Sequence, residues 1–387
     1  MTSPMPELVE HVAGVPPDGS VYNLLLDHTK ISWYRDRVEA WKRGEKIAPI
    51  TMDVAWTRQC NAACIFCAAT TQASDGGGRI TKQIAFDYMK DAAEIGVKGI
   101  SLISDGESTV VPWYEESIEY GAKVGLKIGV GTNGVRLKKK VLERILPHIS
   151  YLRFNFSAGD RERYKQIMGL KDRDYDQVLE NVKDAMEIKR RQNLDVNINI
   201  QMVLMPDMAD QIMPFARLGK ELRPDYAVIK HCADSKDGAL GVDYKKYDPL
   251  RDVLAEAEAL SDSDFRVVVK WSRLKDEGKR DYQRCYGPPF LLQISGNGLV
   301  APCGQLFQEK YKKFHIGNIC TERFIDIFHS DRYWEVMRYL GSDQFNAQHS
   351  CGPNCLQTLT NSWLNRHING EGAEFSEGPM PVHAEFL

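Results

Sequence analysis

Cys60-Asn61-Ala62-Ala63-Cys64-Ile65-Phe66-Cys67 places three cysteines within eight residues, spaced C-x3-C-x2-C. A strand is expected just before it, over 51–57, where Met52, Val54 and Trp56 alternate with more varied neighbours. Three thiolates on one tight loop suit three irons of a cubane [4Fe–4S] cluster and leave the fourth iron without a protein ligand. An all-protein zinc site wants four ligands, and no fourth is close in sequence. A disulfide framework does not pack three cysteines this tightly or leave an odd one over.

The remaining composition narrows the setting. The chain has 387 residues, enough for one large domain or one domain with an appendage. A formal net charge of -3 carries no general signal for nucleic acid or a membrane surface. There is no bilayer-length apolar run and no secretory segment at the start. Nine cysteines in clustered spacings fit metal ligation in a reducing cytoplasm, so a cytoplasmic location is expected.

After the cysteines, 68–78 is a polar loop ending in three glycines, read as a flap near the cluster or a surface loop. A regular alternation follows. Helices are expected over 81–95, 112–124, 137–146, 175–191 and 207–218. Short strands are expected over 99–103, 127–131, 151–156, 196–204 and 226–230. With the first strand this makes about six βα units on short connections, the pattern of a parallel sheet with helices outside.

Two of these strands have an informative polarity. Leu152, Phe154 and Phe156 alternate with Arg153, Asn155 and Ser157, and Ile198, Ile200, Met202 and Leu204 alternate with Asn197, Asn199 and Gln201. The apolar set suits the helix-covered face. The polar set then faces inward, which points to a lumen that holds a polar ligand.

The cysteine spacing, with an aromatic residue directly before the third cysteine, resembles the radical S-adenosylmethionine (radical SAM) superfamily. The resemblance implies an α/β fold, a partial (β/α)6 TIM-like barrel, with a small C-terminal iron–sulfur extension. It implies that Cys60, Cys64 and Cys67 hold a cluster whose open iron binds SAM, and that SAM is cleaved to a 5′-deoxyadenosyl radical. A flavodoxin or ferredoxin is the implied electron donor. Ser104-Asp105-Gly106-Glu107 follows a strand and resembles the family's Gly-Gly-Glu turn, with Asp105 where the first glycine stands. Gly106 and Glu107 are therefore expected at the SAM amino group. Asn133, in the turn Gly131-Thr132-Asn133-Gly134, and Arg153, Asn155, Ser157, Gln201 and Met202 are expected to frame SAM from the strand ends. Lys230-His231-Cys232 ends the sixth strand. There Cys232 is the candidate hydrogen donor and His231 or Lys230 the candidate proton acceptor, with a buried inert cysteine the plain alternative.

In the last third, Cys285 and Cys303 bracket an expected β-hairpin turning at Ser295-Gly296-Asn297-Gly298. Cys351 and Cys355 form a second close pair. Four such thiolates suit either zinc or [4Fe–4S]. The order Cys285, Gly298, Cys303, then His315-Ile316-Gly317-Asn318-Ile319, resembles the SPASM/Twitch extension of radical SAM enzymes. It implies one auxiliary cluster on Cys285, Cys303, Cys351 and Cys355, with Cys320 as the odd member, buried or replacing one of the four.

The expected division is 1–50 as an N-terminal cap, 51–243 as the barrel, 244–284 as a linker with a helix, 285–368 as the auxiliary-cluster domain and 369–387 as a loose tail. The resemblance implies a radical SAM enzyme, an oxidoreductase or epimerase, with two [4Fe–4S] clusters. The expected substrate is a small polar molecule, sugar-like or an aminocyclitol. The alternatives are a peptide-modifying maturase and a non-catalytic iron–sulfur or zinc interaction protein.

Overall fold

The structure is a computed structural model that describes residues 11–14, 22–25, 29–71, 77–271, 279–353 and 355–387. Part of the expected glycine flap, 72–76, and most of the first seventeen residues lie outside the described residues.

The first described strands, β1 (His11–Gly14) and β2 (Tyr22–Leu25), pair antiparallel. Helix α1 (Arg35–Lys42) follows, and then the barrel begins. Its strands are β3 (Thr51–Val54), β4 (Gly99–Leu102), β5 (Lys127–Thr132), β6 (Tyr151–Asn155), β7 (Asn197–Leu204) and β8 (Tyr226–His231). All six expected strands are present and each pairs parallel with the next.

The helices between them are α2 (Lys82–Ile95), α3 (Tyr114–Lys123), α4 (Lys139–Ile145), α5 (Arg161–Met168), α6 (Asp172–Gln192) and α7 (Ile212–Leu222). Their ends follow local chemistry. Thr81 Oγ1 accepts the Ile84 amide at the start of α2, and Gly96, at φ +100°, takes the left-handed turn that ends it. Helix α5 was not expected from apolar periodicity. It is announced instead by its caps: Asp160 accepts the Arg163 amide at 2.9 Å, and Gly169 ends it at φ +61°.

The sheet is larger than six strands. Helix α8 (Arg251–Glu258) leads to β9 (Arg266–Val269), which pairs parallel with β8. At the other edge β10 (Leu291–Ile294) pairs parallel with β3. The hairpin partner β11 (Leu299–Ala301) and the short β12 (Gly317–Asn318) continue the sheet antiparallel. Thus the first arm of the cysteine-bracketed hairpin is also a barrel strand, and eight consecutive strands, β10 through β9, run parallel.

The apolar set faces the core as the alternation implied, and part of the polar set faces the lumen. Leu152, Phe154, Ile198, Ile200, Met202 and Leu204 are fully buried in the apolar core. Arg153, Asn155 and Gln201 line a cavity of about 330 Å³ inside the barrel.

The expected loose tail is corrected: 383–387 forms the floor of the barrel. Lys30 Nζ donates to the carbonyls of His383 (2.8 Å) and Phe386 (3.1 Å). Thr51 Oγ1 donates to Glu385 O and accepts the Leu387 amide at 3.0 Å. Phe386 meets the Tyr151 ring edge-on at 4.9 Å. Thr51 and Tyr151 begin their strands, so this closure is at the end opposite the cysteine loop. No helix of the described residues is long and apolar enough to cross a membrane.

Candidate active site

The three loop cysteines stand together where β3 ends. Cys60, Cys64 and Cys67 all line the cavity. The loop is held from outside by α5. Ala63 N–H donates to Met168 O (3.1 Å) and Ile65 N–H to Ile167 O (3.0 Å). Gly169 permits this approach, because a Cβ there would fall 2.7 Å from Ala63. Burial and the neighbouring Cys60 and Cys67 push the Cys64 thiol up to about 12, and burial pushes the Cys60 thiol up. Three bare thiolates at this spacing repel one another, so the donor set fits a metal cluster that supplies the missing positive charge.

Glu107 braces the next turn. Its Oε1 accepts the hydroxyls of Thr109 (2.8 Å) and Thr132 (2.9 Å) and the Thr109 amide, and its Oε2 accepts the Asn133 amide at 2.8 Å. One acceptor position on Oε2 remains for an ammonium group. Asn133 Nδ2 donates to Asn61 Oδ1 at 2.8 Å, which ties this turn to the cysteine loop. Gly106 lines the cavity at φ +83°, and a Cβ there would collide with the Thr57 carbonyl.

Asp105, at the position of the family's first glycine, faces the C-terminal hairpin. Its carboxylate accepts the Ser295 hydroxyl at 2.6 Å and the Gly296 amide at 2.7 Å, with Arg58 Nε at 3.4 Å. Burial pushes its carboxyl up despite these bonds. Sequence reasoning treated Asp105 as a departure from a motif; its partner lies 190 residues away.

On the lumen wall Gln201 Nε2 donates to Asn155 Oδ1 at 2.8 Å. Lys230 and Lys270 line the cavity with Arg153. Asp53 faces the same space and accepts Gln293 Nε2 at 2.9 Å; burial pushes its carboxyl up to about 6. Asp53 and Lys270 were missed by sequence reasoning. Asp53 sits between Met52 and Val54 in a fully buried strand, which was the available signal.

Four expected site residues do not face the lumen. His231 points to the opposite face of β8 from Lys230, with the rings of Tyr244 and Tyr247 at 6.3 and 6.1 Å. Successive strand residues alternate faces, so Lys230 and His231 cannot both enter. Cys232 is fully buried, with Sγ 3.7 Å from the Phe66 carbonyl behind the cysteine loop. Ser157 is fully buried, and its Oγ accepts the Val203 amide at 3.1 Å. Met202 belongs to the outward apolar set.

The second cysteine set also converges. Burial, with Cys355, Cys351 and Cys303 nearby, pushes the Cys285 thiol up; Cys303 is raised by burial and by Cys351 and Cys355, and Cys351 is pushed up to about 12 by burial and Cys355. Four neighbouring, partly buried cysteines fit full protein ligation of one cluster. Cys320 stands apart: burial alone raises it, and its Sγ lies 3.6 Å from Asn297 O. Leu356, next to Cys355, lines the same cavity as Cys60, so the second set borders the first site.

Comparison with known proteins agrees with this geometry. Residues 54–218 match the radical SAM superfamily, and residues 285–356 match the SPASM iron–sulfur cluster-binding domain. The chain is a radical SAM enzyme with a C-terminal SPASM domain, and its cofactors are SAM and iron–sulfur clusters. It is 23% identical over 310 residues to the AdoMet-dependent heme synthase of Methanosarcina barkeri, covering 74% of this chain and 84% of that one. It is 31% identical over 108 residues to the mycofactocin maturase MftC of Mycobacterium tuberculosis, covering 28% of this chain and 27% of that one. Among solved structures, Streptococcus suis SuiB bound to its precursor peptide SuiA superposes with TM-score 0.59 at 15% identity, over 90% of this chain and 79% of that chain. The enzyme anSMEcpe with AdoMet and a peptide gives 0.56 at 16%, over 81% and 88%. At this identity the likeness shows the fold. The small-molecule partner expected from the sequence is overturned: these structures of the same fold hold peptides.

Proposed function

We propose that this chain modifies a peptide, with radical SAM chemistry directed at one residue that enters the barrel lumen. The observation that carries this reading is the fold shared over most of the chain with two peptide-bound radical SAM enzymes. The local identity with a mycofactocin maturase supports it. In this reading Cys60, Cys64 and Cys67 would hold the SAM-binding cluster, and Cys285, Cys303, Cys351 and Cys355 would hold the SPASM cluster. Bound there, the cluster and SAM would supply a radical able to take hydrogen from an unactivated carbon.

The chain's own side chains do the rest. Glu107 offers its remaining Oε2 position to the SAM ammonium, while Asn133 fixes the turn beside it. Asn155 and Gln201, locked to each other, present fixed polar groups to the adenosyl part. The floor at His383, Phe386 and Leu387 closes the lumen to solvent from below, which keeps solvent-borne reductants and hydrogen donors away from a radical. Lys230 reaches the lumen and is the proton-transfer group retained from the sixth strand.

The test is anaerobic turnover of the reconstituted enzyme with SAM, dithionite and short peptides encoded beside its gene. The expected result is a peptide mass change, with deuterium moving from a labelled peptide into 5′-deoxyadenosine. Formation of 5′-deoxyadenosine with every such peptide left unaltered would overturn the reading.

A further inference from the structure

The lumen wall carries an arginine below the strand-end residues that frame the cofactor in the proposed reading. Arg153 lines the cavity from the middle of β6. Its Nε is shut off from solvent and has no hydrogen-bond partner among the described residues. The guanidinium lies over the Tyr151 ring, with Cζ 5.3 Å from the centroid, which sets its plane. Burying a guanidinium Nε without an acceptor is costly, and the planar fork matches a carboxylate with two parallel hydrogen bonds.

Two further cations share this wall. Lys230 is the penultimate residue of β8 and Lys270 follows the neighbouring strand β9, where the Lys270 amide bonds Ile229 O at 3.0 Å. Both line the cavity. Of the two side-chain carboxylates that also line it, Glu107 is engaged at the rim by Thr109, Thr132 and Asn133, and Asp53, held by Gln293, lies near enough to Arg153 and Lys230 to offset part of their charge without bonding the guanidinium Nε. Arg153 lies two residues below Asn155 on the same strand face, about 6.6 Å deeper than the rim. That depth sets its backbone farther from the cysteine-loop end of the barrel than Asn155.

We propose that the lumen binds a carboxylate of the substrate, gripped by the Arg153 guanidinium, with Lys230 and Lys270 adding positive potential. This rests on the peptide reading and deepens it: the residue delivered into the barrel is acidic, or it is the peptide's C-terminal residue.

The experiment uses the cluster-loaded enzyme with SAM and four fluorescent pentapeptide probes. One carries a central Glu and an amidated C-terminus, one a central Gln and an amidated C-terminus, one a central Lys and an amidated C-terminus, and one a central Gln and a free C-terminus. Binding is read by anisotropy, and glutarate serves as a competitor. The expected result is a preference of about ten-fold, the value of one charge-assisted hydrogen bond, for the Glu probe or the free-C-terminus probe over the amidated Gln probe. Which of the two is favoured tells side chain from C-terminus. Arg153→Met should abolish the preference, and Arg153→Lys, which keeps the charge without the fork, should retain part of it. SAM affinity, read from the change SAM causes in the spectrum of the reduced cluster, should stay the same in both variants.

Equal binding of all four probes would overturn the proposal. So would a loss of SAM affinity in Arg153→Lys, which would assign Arg153 to the cofactor. If no peptide binds but glutarate protects the wild-type enzyme against thermal unfolding and not Arg153→Met, the anion site stands and the peptide reading falls. If neither peptide nor glutarate binds, the proposal fails.

Discussion

The Asp105 carboxylate bonds the Ser295 hydroxyl at 2.6 Å and so joins the turn after β4 to the hairpin that opens the SPASM domain. The same carboxylate takes the Gly296 amide, and Gly296 packs against the Thr57 and Arg58 backbone just ahead of Cys60. One side chain therefore links the stem of the radical-cluster loop to the second domain. Asp105→Ala leaves a buried hydroxyl and a buried amide without an acceptor, a loss of about 1–3 kcal/mol. Denaturant unfolding of the loaded protein should show that loss, with Asp105→Asn intermediate. An unchanged midpoint in Asp105→Ala would show that the seam carries no stability.

Asp53 sets a pH dependence with a defined sign. Its carboxyl titrates at about 6 in the fold, against 3.8 ordinarily, because burial outweighs its bonds. The folded protein thus holds this proton more tightly than the unfolded chain. The contribution is fully present below about pH 4 and is lost as pH rises through about 6, on the order of 3 kcal/mol across the window. Asp53→Asn should gain stability relative to wild type over that range, measured as the difference in unfolding midpoint at successive pH values. A difference that does not change with pH would refute the shift.

The two cysteine sets should separate by iron content. Cys60→Ala, Cys64→Ala or Cys67→Ala should lose about half of the bound iron and all SAM cleavage. Cys285→Ala or Cys351→Ala should also lose about half, while the spectrum of the remaining cluster still responds to SAM. Cys320→Ser should keep the full iron content, because Cys320 lies apart from both sets. Iron and sulfide analysis after anaerobic reconstitution decides all three outcomes.

His231 and Cys232 should prove dispensable for chemistry and Lys230 should not. His231→Phe keeps a ring between Tyr244 and Tyr247, and Cys232→Ala removes only a buried sulfur. Each should hold peptide turnover within about two-fold, at a stability cost of ~1 kcal/mol. Lys230→Met should lower turnover at least about ten-fold without altering SAM affinity. Solvent deuterium incorporation that disappears in Cys232→Ala would reinstate it as a hydrogen donor.

Opening the barrel floor should uncouple the reaction. Phe386→Ala removes a ring packed on Tyr151 and should cost about 3–5 kcal/mol. It also admits water below the substrate. The expected readout is more 5′-deoxyadenosine per modified peptide than in wild type, at equal SAM affinity. An unchanged ratio would mean that the floor is structural only.

The spacing of Cys60, Cys64 and Cys67 and the alternation in β6 and β7 were legible because they are local. A loop that chelates metal needs its sulfurs within a few residues, and a strand between helices and a lumen shows both environments at every second position. Those two features carried the chemistry and the barrel. Even there, locality misled at a strand end. Lys230, His231 and Cys232 are adjacent in sequence, yet the pleat sends Lys230 inward and His231 outward.

Long-range packing decided the rest. β10 reads as half of a hairpin, because nothing in Leu291–Ile294 shows that Thr51–Val54, some 240 residues earlier, pairs with it in parallel. The tail is rich in glycine and proline, so its composition hides that Lys30, Thr51 and Tyr151 supply the bonds and ring contact that hold it as a floor. The substrate is the extreme case. The sequence by itself determined a SAM-cleaving loop on a polar-lined barrel, because those are properties of short segments. Only the tertiary structure placed Arg153, Lys230 and Lys270 on one wall and Asp105 in the domain seam. Charge and hydrogen-bond complementarity act through space, between residues that the chain's order keeps far apart.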